Sequence, residues 1–228
     1  YCPIEFENLY ADLNKKEYKA LNLEMFENAI TVLKNEEEII PIKNIDKEKI
    51  AYVKIGDGDS SVFVEKLREY ADVEILKTNN LDSLLVEIDK YSKVIVGYHK
   101  PEGIWKKNEM TFKEINWIDK ISKKNNAIVA FFTKPYSLLR IPNFDKAKGL
   151  IEGYQNHEFA QIVTAEIIFG AKEAKGVLPV SLKKNFSAND GIKTKSAQRL
   201  GFAFPEQVNM NSDVLAKIDS IANYAIKS

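Results

Sequence analysis

Ala127-Ile128-Val129-Ala130-Phe131-Phe132-Thr133 carries no charge and alternates nothing. A strand with one wet face would place polar residues at every second position, so this run reads as a strand buried on both faces. Working outward, Thr111–Lys124 on its N-terminal side repeats apolar residues at helical spacing. Gly149–Tyr154 beyond it opens a second apolar run, and the helical pattern His157–Phe169 follows. The same alternation extends upstream. Strands are predicted at Ile50–Ile55, Val73–Leu76 and Lys93–Tyr98, and helices at Ser61–Tyr70 and Leu81–Tyr91. Strand and helix in regular alternation, with strands that are nearly continuous in Ile, Val and Phe, predict an α/β fold: a flavodoxin-like, doubly wound, mainly parallel sheet with helices on both faces. The last helix is apolar almost all round through Phe159, Ile162, Val163, Ile167, Ile168 and Phe169. It should be deeply buried and stop at Gly170.

At the N-terminal end, Leu9, Leu13, Leu21, Met25, Phe26, Ala29, Ile30 and Leu33 recur at three- and four-residue intervals. This predicts amphipathic helix from Asn8 to Asn35 with a break near Asn14. Ile39-Ile40-Pro41-Ile42 reads as a short extended stretch, since Pro41 lacks the donor of an inner strand. Lys183–Arg199, rich in Lys, Ser and Asn, reads as loop. A final helix capped by Ser212 or Asp213 carries the stripe Leu215, Ile218, Ile221, Ala222 and Ala225. That stripe has no evident partner and points to a chain that continues.

Bulk chemistry excludes several functions. The 33 basic and 33 acidic residues cancel, so no global field favours nucleic acid. The single cysteine, Cys2, rules out a disulfide framework and a cysteine-rich zinc site. No apolar run approaches the ~20 residues of a membrane span.

Gly56-Asp57-Gly58-Asp59-Ser60-Ser61 stands where a phosphate loop would, between a strand and a helix. It lacks the third glycine and any Gly-Lys-Ser/Thr, and it sets two aspartates where phosphate would sit. A calcium loop from Asp57 fails because Arg68 occupies the position of the closing glutamate. A tight turn with a helix cap is the better reading. His99 and His157 both follow strands at the edge where open α/β sheets bind ligands, but no second metal ligand stands at suitable spacing. An exposed loop histidine is the commoner explanation. Ser137 in Lys134-Pro135-Tyr136-Ser137-Leu138 lacks the glycines of a nucleophile elbow. Trp105, in Pro101–Lys107, suits an interface or packing role better than a sugar platform.

Glu24–Asn35, followed by Ile39-Ile40-Pro41-Ile42 and the strand Lys49–Ile55, resembles the opening of the C-terminal α/β domain of family 3 glycoside hydrolases. Phe132–Leu138 is similar to that family's Asn-Pro-Tyr-Ser-Leu turn. Tyr154-Gln155-Asn156, the helix to Gly170, and Gly176-Val177-Leu178-Pro179-Val180-Ser181 resemble its ending. Glu7–Asn14 is similar to the linker that leaves the barrel in the bacterial β-N-acetylglucosaminidase branch. Gly201–Glu206 with the last helix looks like the entry to a serine β-lactamase-like domain. The resemblance implies three parts: residues 1–35 leaving an N-terminal barrel, 36–200 as the α/β domain, and 201–228 leading to a downstream serine hydrolase-like domain. It implies retaining hydrolysis of terminal β-linked N-acetylglucosamine, with nucleophile and acid/base on the barrel, and a periplasmic or cell-envelope location. No catalytic residue, metal or cofactor is assigned to this chain. His99, Trp105, Tyr136, Gln155, Asn156 and His157 are expected at the cleft margin or facing the barrel. Two alternatives stand beside this: a flavodoxin-like binding module, which needs a phosphate-friendly loop the sequence does not offer, and a structural or interaction domain without glycosidase activity.

Overall fold

The structure is a computed structural model, and it describes residues 6–101, 109–124, 126–183 and 185–227. The chain divides into two compact units, Phe26–Gly201 and Tyr1–Met25 together with Phe202–Ser228.

The larger unit holds a six-stranded sheet. In chain order its strands are β1 (Thr31–Asn35), β2 (Ile50–Ile55), β3 (Val73–Ile75), β4 (Lys93–His99), β5 (Ala127–Phe132) and β6 (Gly149–Glu152). They lie in the order β1-β6-β5-β4-β2-β3. All pairs are parallel except β1 with β6, which is antiparallel. This is the doubly wound arrangement that the strand and helix alternation predicts, with one antiparallel edge strand added. The helices of this unit are α3 (Ser61–Tyr70), α4 (Leu81–Ile88), α5 (Phe112–Ser122) and α6 (Glu158–Phe169), counted after α1 (Leu9–Leu13) and α2 (Lys16–Ala29).

Alternate side chains of the inner strands enter two separate cores. Ala51, Val53, Val94, Val96, Val129 and Phe131 point to the face covered by α4 and α5, where Leu84, Ile88, Ile118 and Ile121 meet them. Tyr52, His99 and Phe132 point to the other face and ring Phe63 of α3, which lies against α6. Both faces exclude water, which is why these strands need no polar alternation. The helix ends are satisfied locally. Thr111 and Glu114 form a reciprocal capping box on α5, and the Asn80 side chain caps α4. α6 is buried over most of its length and ends at Gly170 in the left-handed region, as its composition predicts.

Three expectations change. The helix expected to run to Asn35 stops at Ala29, and Thr31–Asn35 is a strand instead. Ile30-Thr31-Val32-Leu33 fits helical spacing, but its β-branched residues suit a strand equally, and pairing with β6 buries Thr31, Val32 and Leu33. Ile39–Ile42 is not extended throughout: Ile39 is helical at φ −63 and ψ −22 at the end of a 3-10 turn at Glu36–Glu38, and Asn35 exchanges two side-chain hydrogen bonds with the Ile40 backbone, at 2.6 and 2.8 Å. The terminal helix is capped by Asn211, whose Oδ1 accepts from the backbone N–H groups of Asp213 and Val214, rather than by Ser212 or Asp213.

The described residues of 183–199 form no helix or named strand, as expected, yet they bond to the body of the domain, at β1 among other places. Ile192 N–H donates to Val32 O, and the Arg199 guanidinium donates to the carbonyls of Ile42, Lys43 and Phe169. The opposite edge strand, β3, is only three residues long, a second way of blunting an edge.

The smaller unit contains α1, most of α2, α7 (Ser212–Leu215) and α8 (Lys217–Lys227). Ile218 and Ile221 of the expected stripe lie on α8 and are exposed.

Candidate functional site

In an open α/β sheet, ligands bind outside the carboxyl ends of the strands, at the point where strand order reverses. Here that point lies between β2 and β4, since β2 continues outward to β3 while β4 continues the other way to β5. The described residues that meet there are Gly56–Ser61 after β2, His99 and Lys100 at the end of β4, and Gly153–His157 after β6.

Among the described residues, these segments close on one another around His99. The imidazole is fully buried, stacked on Phe132 at 4.5 Å between ring centres. Its Nδ1 lies 2.8 Å from Asn156 Oδ1 and its Nε2 lies 2.9 Å from the Tyr52 hydroxyl. The Asn156 amide donates through Nδ2 to Asp59 O at 2.9 Å, so its Oδ1 faces the ring. His99 Nδ1 therefore carries the proton, and Nε2 accepts from Tyr52. Gln161 extends the network. Its Nε2 donates to Asp59 O and to Asn156 Oδ1, and its Oε1 accepts from Phe63 N–H at 3.0 Å in the first turn of α3. Burial drives the His99 pKa down to about 4, against the raising effect of Asn156. At neutral pH the ring is uncharged.

Two glycines permit this closure. A side chain at Gly97 would collide with His99 Nε2 and the Tyr52 hydroxyl, so glycine leaves the space in which they meet. Gly56, at φ +92, turns the chain back over the His99 carbonyl, which then accepts from Gly58 N–H at 3.0 Å. The Gly56–Ser61 stretch is thus a tight turn, as its residues predict. Its cap comes from Asp59, whose carboxylate accepts from Ser61 N–H and Ser61 Oγ, and Ser60 contributes no side-chain capping bond.

Beside the turn, the buried Lys100 ammonium donates to Asp57 and Glu114, each at 2.9 Å. Burial pulls its pKa down, but the two carboxylates outweigh that and raise it. Asp57 is correspondingly lowered, first by its bond to Lys100. The same Glu114 accepts the Thr111 backbone N–H, so one carboxylate caps α5 and neutralises Lys100. At the end of β6, Glu152 is fully buried. One of its oxygens accepts from Tyr154 N–H at 2.8 Å, and the other finds no hydrogen-bond partner among the described residues. Burial raises its pKa well above the usual carboxylate value, against the lowering effect of the Tyr154 N–H. Tyr154 itself adopts φ +64 and bonds through its hydroxyl to Thr31 Oγ1 at 2.7 Å.

The sequence candidates are distributed as follows. His99 is not an exposed loop histidine: it is the last residue of β4 and has no solvent exposure, because Tyr52, Phe63, Phe132 and Asn156 enclose it. Asn156 is half-buried in the same network. Gln155 is exposed on the loop beside it. His157 is half-buried at the N-cap of α6, where Nδ1 accepts from Phe159 N–H, and its ring stacks on Phe26 at 5.0 Å. Tyr136 is exposed on a 3-10 turn after β5. Trp105 lies outside the described residues. Sequence reasoning missed Tyr52, Gln161, Lys100 and Glu152. Only the Thr-x-x-Glu capping signature at Thr111 hinted at any part of the Lys100 cluster. Among the described residues no group of three His, Cys, Asp or Glu side chains could hold a metal, and no helix is long and apolar enough to cross a membrane.

Fold and edge together define an open, doubly wound α/β domain in which, among the described residues, the side chains at the ligand edge bond to one another. No protein-family model and no curated protein matches the sequence. Solved structures do. The chain is similar to part of a fungal multi-domain family 3 β-N-acetylglucosaminidase, at a TM-score of 0.60 and 18% identity over 83% of this chain and 21% of that one. A family 3 β-N-acetylglucosaminidase from Paenibacillus gives a TM-score of 0.56 at 18% identity, over 80% of this chain and 35% of that one. The family 3 β-glucosidase of Bifidobacterium adolescentis gives 0.54 at 15% identity, over 74% and 29%. At these identities the likeness is one of fold. The chain spans between about a fifth and a third of the length of these proteins.

Proposed function

We propose that this chain is the non-catalytic α/β domain of a family 3 glycoside hydrolase of the β-N-acetylglucosaminidase branch, acting as the scaffold beside a catalytic barrel. The observation that carries the reading is a coincidence of two independent likenesses. The sequence phrases at Glu24–Asn35, Phe132–Leu138 and Tyr154–Ser181 resemble that domain in order, and the fold resembles parts of family 3 enzymes. The chemistry of the carboxyl edge supports it. His99 is neutral and sealed, Lys100 is held between Asp57 and Glu114, and Glu152 is fully buried and bonded to the Tyr154 N–H, so these groups are engaged with the domain's own structure.

On this reading the parent enzyme cleaves a terminal β-linked N-acetylglucosamine with retention, through a nucleophile and an acid/base carried by the barrel. The domain contributes position: the closed edge is a firm support on which exposed groups such as Gln155 and Tyr136 face the barrel. The test is hydrolysis of a chromogenic β-N-acetylglucosaminide by this 228-residue chain and by the longest natural chain that contains it. Turnover by the longer chain alone is expected. Turnover by this chain alone, or by neither, would refute the proposal.

A further inference from the structure

Closing the edge between β2 and β4 leaves a crevice one strand farther out, at the carboxyl ends of β2 and β3. It encloses about 660 Å3, within the ~300–1,000 Å3 of small-molecule sites. Its lining is chemically two-sided. Lys54 at the end of β2, Arg68 on α3 and Lys77 after β3 contribute three cationic side chains. None of them forms an ion pair or hydrogen bond with another described residue, in a chain whose other lysines are often paired. Two carboxylates, Asp59 and Glu65, share the crevice, but that of Asp59 already accepts from Ser61. The opposite wall is apolar, built by Leu84 of α4 and Trp117 of α5. The first turn of α3 adds little electrostatic pull, because Asp59 and Gln161 have taken the N–H groups of Ser61 and Phe63.

We infer that this crevice is an accessory binding site for a small anionic sugar, whose charged group lies among Lys54, Arg68 and Lys77 and whose ring lies against the Leu84 and Trp117 wall. Lys54 acts at longer range on Asp57 and Asp59, and a cation without a short ion pair or hydrogen bond is stabilised by an anion that supplies charge-assisted hydrogen bonds. The flat, mainly C–H face of a pyranose suits an indole wall. The choice of a sugar as the ligand body rests on the glycosidase reading; the charge rests on the crevice alone.

The experiment is an NMR titration of the whole chain with four probes: glucuronate, glucose 6-phosphate, glucose and inorganic phosphate. The two anionic sugars should shift the backbone amides of Lys77 and Thr78 and the indole N–H of Trp117. They should bind at least about tenfold more tightly than glucose or phosphate, the equivalent of one well-placed charged hydrogen bond. Lys77→Glu and Arg68→Ala, both at exposed positions, should each weaken glucuronate binding by about tenfold while leaving the amide spectrum of the sheet unchanged. Silence from all four probes up to about 10 mM, or shifts confined to other surfaces, would overturn the site. Phosphate binding as tightly as glucose 6-phosphate would overturn the sugar, and glucose binding as tightly as glucuronate would overturn the charge. None of these outcomes bears on hydrolysis by the parent enzyme, so the two proposals fail separately.

Discussion

Acid should unlock this domain through His99. The ordinary imidazole value of 6.5 applies to the unfolded chain, while burial holds the folded ring near 4. Between those values the unfolded chain carries a proton that the folded chain refuses, so unfolding takes up a proton and stability falls as pH falls. The contribution is fully present above pH 6.5. It has lost about 1.4 kcal/mol by pH 5.5 and about 3 kcal/mol by pH 4, from the ~1.4 kcal/mol per pKa unit of linkage. The assay is urea unfolding at pH 7, 5.5 and 4 on the native chain and on His99→Gln. The variant keeps a donor for Asn156 but does not titrate. It should be less stable at pH 7, by about 1–3 kcal/mol for the lost ring packing and the altered hydrogen bonds. Its acid limb should be flatter by the amounts above. The depressed carboxylates of Asp57 and Asp119 also lose stability in acid, but they do so equally in both proteins, so the difference between the two curves belongs to His99. Parallel curves, or an imidazole resonance of His99 that titrates near 6.5, would refute the argument.

Other groups make separable predictions. Glu152 runs the opposite way: its folded pKa is raised, so its contribution is intact below about 4.5 and is lost as pH climbs toward the folded value. The stability of Glu152→Gln relative to the native chain should therefore improve from pH 4.5 to 7, read from urea midpoints, and a constant difference would contradict a protonated carboxyl. Gly97→Ala should lower stability by about 1–3 kcal/mol through overpacking against His99 and Tyr52, seen as a fall in Tm. Asn156→Ala leaves His99 Nδ1–H buried without its acceptor, and it should cost about 1–3 kcal/mol. Faster amide exchange in Gly56–Ser61 and Gly153–His157 should accompany that loss, and protection unchanged in both loops would show that the network does not bind them together.

The parallel core was legible because strands such as Val94–Tyr98 and Ala127–Phe132, buried on both faces, must be apolar at every position, and no other common element of that length is. β1 was not legible. Its residues satisfy a helical period as well as a strand, and what decides between them is a partner, β6, more than a hundred residues later in the sequence. His99 was misread for a related reason. A histidine at the end of a strand is usually wet, and what dries this one are Tyr52 and Asn156, at 47 and 57 residues' separation. Lys100 and Glu114 are 14 residues apart, and Asp57 lies 43 residues before Lys100, so no local pattern announces the cluster.

The closed edge also bears on how a fold built for ligands can serve as a scaffold. Three ionisable groups there are engaged by the fold itself: His99 is neutral with both nitrogens bonded, Lys100 is charged between two carboxylates, and Glu152 is fully buried with its pKa raised by that burial. The same interactions tie Gly56–Ser61 and Gly153–His157 to the end of β4, because His99, Asn156, Gln161 and Asp59 share a single hydrogen-bond network. A loop tied at both ends positions what it carries, and Gln155 next to Asn156 is carried in this way. The arrangement exchanges adaptability at the edge for rigidity, the property that the proposed scaffold role would call on.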